Sequence, residues 1–263
     1  MPYEYIAVEQ RGRAGIITFS KPDRLNVVNY DMFGEVRQAI EGWNEDPSVG
    51  AVVLTGSGRA FCAGADIRGW ERTIEARERG EGYEREREPE NWVHFIQRSK
   101  PVVCAINGLS IGVGLTMTLP CDVRIASDQA RLSMRFVRVG VLPELASTRL
   151  LVHIVGLTQA LELMLSGRII PADEAGRIGL VNRVVPHDRL MEAALEAAAE
   201  IAFNPADSLA AIKRLVWENL TEMDLSQVWK REDREFAAAM ERPAFKEAVK
   251  AFMEKREPQF NRA

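Results

Sequence analysis

A chain of 263 residues can bury a sizeable core, and 46% hydrophobic with 27% charged residues describes a water-borne globular protein rather than a disordered or fibrous one. A net charge of -4 argues against a nucleic-acid surface as the main function. Cys62, Cys104 and Cys121 lack metal-ligand spacing, and two of them lie in apolar stretches, so buried free thiols in a reducing compartment are expected.

The first fifteen residues hold acidic side chains and no apolar h-region, which predicts no signal peptide and a cytoplasmic location. Tyr5–Val8 and Gly15–Phe19 then read as a hairpin. Asn29 is placed to cap a helix whose inner face is Phe33, Val36, Ile40 and Trp43. Ala51–Leu54 is a short apolar strand that runs through a turn-rich loop to Ala60-Phe61-Cys62-Ala63-Gly64-Ala65-Asp66. From Glu71 to Glu90 the chain is crowded with Glu and Arg, a pattern that faces water or, alternatively, lids a substrate. Asn91 caps the next predicted helix.

The stretch Pro101–Cys121 carries no charge. Its prolines, glycines and polar residues suit protein burial better than lipid, and Met117 stands where a dinucleotide fingerprint wants its third glycine. It reads as a buried strand, a turn at Asn107-Gly108, and small residues Gly112-Val113-Gly114 at a helix entrance; a plain core strand and helix is the competing reading. A strand follows at Val123–Ala126, then a short extended piece at Leu132–Met134, and Pro143-Glu144 is expected in the first turn of a helix running through Leu151. Helices near Thr158–Leu165 and Ala172–Gly176 lead to a strand at Leu180–Val185. Beyond it the pattern is helical: Leu190–Ala202, Ser208–Leu220, Leu225–Met240 and Phe245–Glu254. These modules predict an α/β core over 1–200 and a C-terminal helical oligomerisation region over 201–263, too apolar to stand alone.

Two segments share one shape: apolar strand, loop of small residues, helix. One ends at Ala63-Gly64-Ala65-Asp66 and the other at Gly112-Val113-Gly114. If the loops lie side by side, the N–H groups of Ala63 and Val113 converge on one oxygen as an oxyanion hole. His94, His153 and His187 cluster with no carboxylate or cysteine, and no metal site is expected.

Gly58–Ile67 together with Asn107–Asp122 resembles the enoyl-CoA hydratase/isomerase (crotonase) family. The likeness extends to Lys21–Asn26, Leu163–Arg168, Ala175–Val181 and Phe252–Arg256, and so covers nearly the whole chain. The resemblance implies a crotonase-like spiral of ββα units, an acyl-CoA thioester substrate with no separate cofactor, and a homotrimer or a hexamer made of two trimers, with neither nucleic acid nor membrane as partner. It assigns the oxyanion amides to Ala63 and Val113, and places Arg24, Arg68 and Lys255 near the CoA phosphates or adenine. Ala65, Asp66, Ile67, Gly112, Thr116 and Phe136 are expected to line the substrate. Hydratases that resemble this chain carry two glutamates where Thr116 and Phe136 stand, whereas double-bond isomerases carry one carboxylate at the position of Glu144. The expected reaction is therefore a shift of 3-enoyl-CoA to 2-enoyl-CoA with Glu144 as base and acid, its basicity raised by apolar Val141, Leu142 and Leu145. Alternatives are hydration of 2-enoyl-CoA and a non-catalytic or RNA-associated role.

Overall fold

The computed structural model describes residues 3–66, 70–80 and 91–260. The chain opens with the antiparallel pair β1 (Ile6–Arg11) and β2 (Ala14–Phe19), as the alternation predicts. Helix α1 (Tyr30–Glu45) follows, and the Asn29 side chain accepts the Met32 N–H at 2.8 Å, supplying one of the acceptors that a helix start lacks.

Three strand pairs then repeat. β3 (Ala51–Gly56) turns into β4 (Ala60–Cys62), and α2 (Trp70–Glu78) and α3 (Trp92–Arg98) come next. β5 (Val102–Ile106) turns into β6 (Leu109–Ile111) and then α4 (Val113–Thr116). β7 (Val123–Ser127) turns into β8 (Arg131–Ser133), and α5 (Ser147–Val155) and α6 (Leu157–Ser166) follow. The first strand of each pair joins one sheet and the second joins another. A six-stranded sheet has the order β1-β2-β3-β5-β7-β10 and a four-stranded one the order β4-β6-β8-β9, closed by β9 (Ile170–Pro171) and β10 (Arg183–Val185). Neighbours are parallel apart from β1/β2 and β8/β9.

Residue alternation along the large sheet sends Val52, Leu54, Val102, Cys104 and Ile106 into one core with α1 and α3. Val53, Val103 and Ala105 enter a second core under α8 (Leu190–Ala202), whose alanines allow a close approach. A sheet covered on both faces explains why these strands read as continuous apolar runs.

After α7 (Ala172–Arg177) and α8, the helices α9 (Ala206–Asn219), α10 (Leu225–Met240) and α11 (Pro243–Glu254) form a C-terminal arm. Lys213 of α9 is buried, and its ammonium meets the Asp122 carboxylate at 2.7 Å. The same Asp122 oxygen accepts the Val102 N–H at 2.7 Å, so the arm is tied to the root of β5. Among the described residues no helix is long and apolar enough to cross a membrane. All three cysteines are buried and free, as expected.

Candidate active site

β4 and β6 run parallel, with Cys62 beside Ser110, so the loops leaving their C-terminal ends are neighbours. The approach is close: a Cβ on Gly114 would fall 2.1 Å from the Cys62 carbonyl oxygen. Only a glycine allows α4 to sit there. Val113 is the first residue of α4, and its N–H has no acceptor among the described residues, as a helix start requires. Gly112, with φ 55°, precedes it and delivers that amide to the loop end.

The other loop differs from the expectation. The Ala63 N–H donates to the Leu25 carbonyl at 3.0 Å and is engaged. Val28 then pairs with Ala65 as a parallel bridge: the Val28 N–H donates to Gly64 (2.8 Å), and the Asp66 N–H to Val28 (3.0 Å). In such a bridge the residue in the middle turns its own N–H to the far side. The amide of Ala65, not Ala63, is therefore left without a partner among the described residues. Gly64, with φ 113°, reverses the alternation between them, and its own Cβ position lies 3.3 Å from the Ile111 carbonyl. The bridge turns the Ala65 amide away from Val28, on a loop whose Gly64 adjoins the start of the Val113 turn.

The remaining candidates fall into place as follows. Phe136 lies in a 3-10 turn, Arg135–Val139, and its ring tip would touch a Cβ placed on Gly112 at 3.9 Å, so it stands over the mouth of α4. Thr116 is buried, and its hydroxyl turns back to the Val113 carbonyl at 3.4 Å, a long contact. Arg24 and Asp66 form an ion pair with each other. Ile67 and Arg68 lie outside the described residues. Lys255 is exposed at the C-terminal end of α11, and no ion pair joins it to the other candidates among the described residues. Trp92 of α3 is wholly buried core; its Nε1–H donates to the Met117 carbonyl at 2.9 Å and steadies the end of α4.

Glu144 is not in a helix. Residues 141–144 are irregular, α5 begins at Ser147, and the first-turn position predicted for Pro143-Glu144 is not realised. Leu145 (φ 55°) and Ala146 (φ 54°) both adopt the left-handed conformation, which non-glycine side chains resist. Glu144 is half-buried, and its carbonyl accepts the Ser147 N–H at 3.1 Å. Of its apolar neighbours only Leu145 packs against the core; Leu142 is 84% exposed, so the apolar shell expected from sequence is mostly absent. A cavity of 540 Å³ beside Gly58, Arg59, Asn107, Gly108 and His187 opens at the opposite ends of β4 and β6 and contains none of these candidates.

The stretch Lys21–Asn26 carries part of the family likeness, but reasoning from sequence gave Leu25 and Asn26 no role. Their left-handed pair (φ 53° and 52°) builds the surface on which the 60–66 segment lies, and nothing short of the long-range pairing reveals it.

The family model for enoyl-CoA hydratase/isomerase matches residues 9–263. A protein of Rhizobium meliloti named "Probable enoyl-CoA hydratase" is 36% identical over 260 residues, 99% of each chain. The "Enoyl-CoA hydratase, mitochondrial" of Pongo abelii is 33% identical over 98% of this chain and 88% of its own. Among solved structures, an enoyl-CoA hydratase subunit from Geobacillus kaustophilus superposes with a TM-score of 0.86 at 32% identity, covering 99% of both chains. A match that runs through both sheets, the paired loops and the helical arm leaves no separate part unexplained, and the chain belongs to the enoyl-CoA hydratase/isomerase family of enzymes.

Proposed function

We propose that this enzyme moves the double bond of a 3-enoyl-CoA to the 2-position, with the amides of Ala65 and Val113 holding the thioester oxygen and Glu144 carrying the proton. The observation that carries the reading is the identity of three positions. Thr116 and Phe136 offer no carboxylate, whereas the loop that starts under Phe136 ends in the half-buried Glu144.

In the proposed cycle the carboxylate of Glu144 removes a proton from C2 of the substrate. The electron pair passes to the thioester oxygen as a dienolate, which the two amides stabilise by hydrogen bonds that strengthen as charge develops. The same carboxyl group returns the proton to C4, and the double bond comes to rest between C2 and C3. No water enters or leaves, so one acid/base group suffices. Hydration would need a second group to deliver the proton while the first activates water.

The names carried by the relatives support a second reading, hydration of 2-enoyl-CoA with Glu144 activating water. Absorbance of the conjugated thioester separates the two. Formation of the chromophore from 3-enoyl-CoA, reduced by about 100-fold or more in Glu144→Gln, is the expected result. Loss of the chromophore from 2-enoyl-CoA with none formed from 3-enoyl-CoA would assign hydration instead.

The same reading extends to assembly as a homotrimer or a pair of trimers. Within one chain α10 buries none of its residues, and Met223, Trp229, Phe236 and Phe252 are exposed on the arm. Apolar side chains gathered on α10, α11 and the turn before them support burial against another copy.

A further inference from the structure

The geometry points to Asn26 as a positioning residue that aims the Ala65 amide, an inference that rests on the thioester-holding role proposed for that amide. Asn26 is 0% exposed and sits in a left-handed conformation that asparagine tolerates better than most residues. Its side chain spends both amide hydrogens on one strand root: Nδ2 donates to the Ser57 carbonyl at 2.9 Å and to the Ala60 carbonyl at 2.8 Å. Its Oδ1 accepts the Lys21 N–H at 3.0 Å, and its own N–H donates to the Lys21 carbonyl at 3.0 Å. The residue is thus fixed from behind and grips β4 in front.

What it grips decides where two amides point. The Ala60 carbonyl also accepts Nδ2 of Asn107 at 3.3 Å, from the turn that leads through β6 to Val113. On either side of Asn26 the same segment binds the backbone of the downstream loop: Leu25 accepts the Ala63 N–H, Val28 bridges Gly64 and Asp66, and Arg24 pairs with Asp66. This ladder occupies one edge of residues 63–66 and leaves the Ala65 N–H on the other. Asn26 stands in the middle of the ladder and sets its register against β4. Without it the 24–28 segment can shift against the strand, and the amide loses its aim. A displacement of about 1 Å at such a donor costs on the order of 100-fold in rate.

The test uses the whole enzyme and two substitutions. Asn26→Gly keeps the left-handed backbone and removes the side-chain ties; Asn26→Asp keeps the shape but sets oxygen against the Ser57 and Ala60 carbonyls. A dialkylaminocinnamoyl-CoA reports polarisation of its thioester carbonyl as a red shift on binding, independently of turnover. The wild type is expected to shift the probe. Each variant should bind it within about threefold of wild-type affinity, lose most of the shift, and show kcat reduced by about 100-fold with KM nearly unchanged. A folded Asn26→Gly enzyme that keeps both the shift and kcat overturns the assignment. So does a loss expressed as KM alone, or failure of both variants to fold, which would make Asn26 a folding residue. A wild type that binds the probe without any shift removes the role of the Ala65 amide itself, and the Asn26 assignment falls with it.

Discussion

At the scale of single residues, small backbone rotations decide which amide is left open. Ala63 and Ala65 are the same residue type two positions apart, so composition cannot choose between them; Gly64 with φ 113° does, by turning the chain half a period out of phase. The sequence showed that small residues gather at 63–66 and 112–114, but the partner that consumes the Ala63 amide, Leu25, lies on a distant segment whose left-handed pair has no glycine to announce it. Cys62 stands one residue before this loop, and burial pushes its thiol up from 9.0 to about 12. The sign of the consequence follows from proton binding. Above pH 9 the unfolded chain ionises this thiol while the folded chain keeps the proton until about 12, so the folded state binds more protons and stability falls as pH rises through that window. Iodoacetamide at pH 8 should therefore label Cys62 only on unfolding, and thermal melts should drop between pH 9 and 11; a Cys62→Ala or Cys62→Ser enzyme should lose less of its stability there. Rapid labelling of the native protein would contradict this.

At the scale of elements, what depends on neighbours in sequence was legible and what depends on distant pairing was not. The caps at Asn29 and Asn91 and the periodicity of α1, α8 and α10 are local signals, and each element lies where they place it. The start of α5 is the exception. Nothing in Leu145 or Ala146 marks a left-handed residue, so a helix expected from Pro143 begins at Ser147 and frees Glu144 from it. The strands β4 and β6 have three residues each, too few to carry a pattern, and only their pairing defines them, whereas β8 lies within one residue of the extended piece expected at Leu132–Met134. Gly114 tests the contact on which that pairing converges. Gly114→Ala would force a methyl group into the Cys62 carbonyl, a backbone atom held in β4, at a cost of at least about 1–3 kcal/mol. The expected outcome is a lowered Tm together with turnover reduced beyond what the unfolded fraction explains; an unchanged melt and rate would mean that the two loops are not pressed together.

At the scale of the molecule, the arm formed by α9–α11 is the part least able to stand by itself. α10 has no residue buried within the chain, and Trp229 and Phe236 project from it. Sedimentation velocity is expected to show a trimer or larger species, and Trp229→Asp with Phe236→Asp to convert it to smaller ones; a wild type that sediments as a monomer would overturn the proposed assembly. The tie between Lys213 and Asp122 gives this association a wider reach, because one oxygen of Asp122 holds both the arm and the beginning of β5, the strand that feeds the turn toward Val113. Under the proposed assembly, contact between copies and the alignment of the proposed Val113 donor then share a single hinge pin. Dilution should blunt turnover while the helical signal still reads as native, and a lone subunit would be a folded protein with a slack trigger.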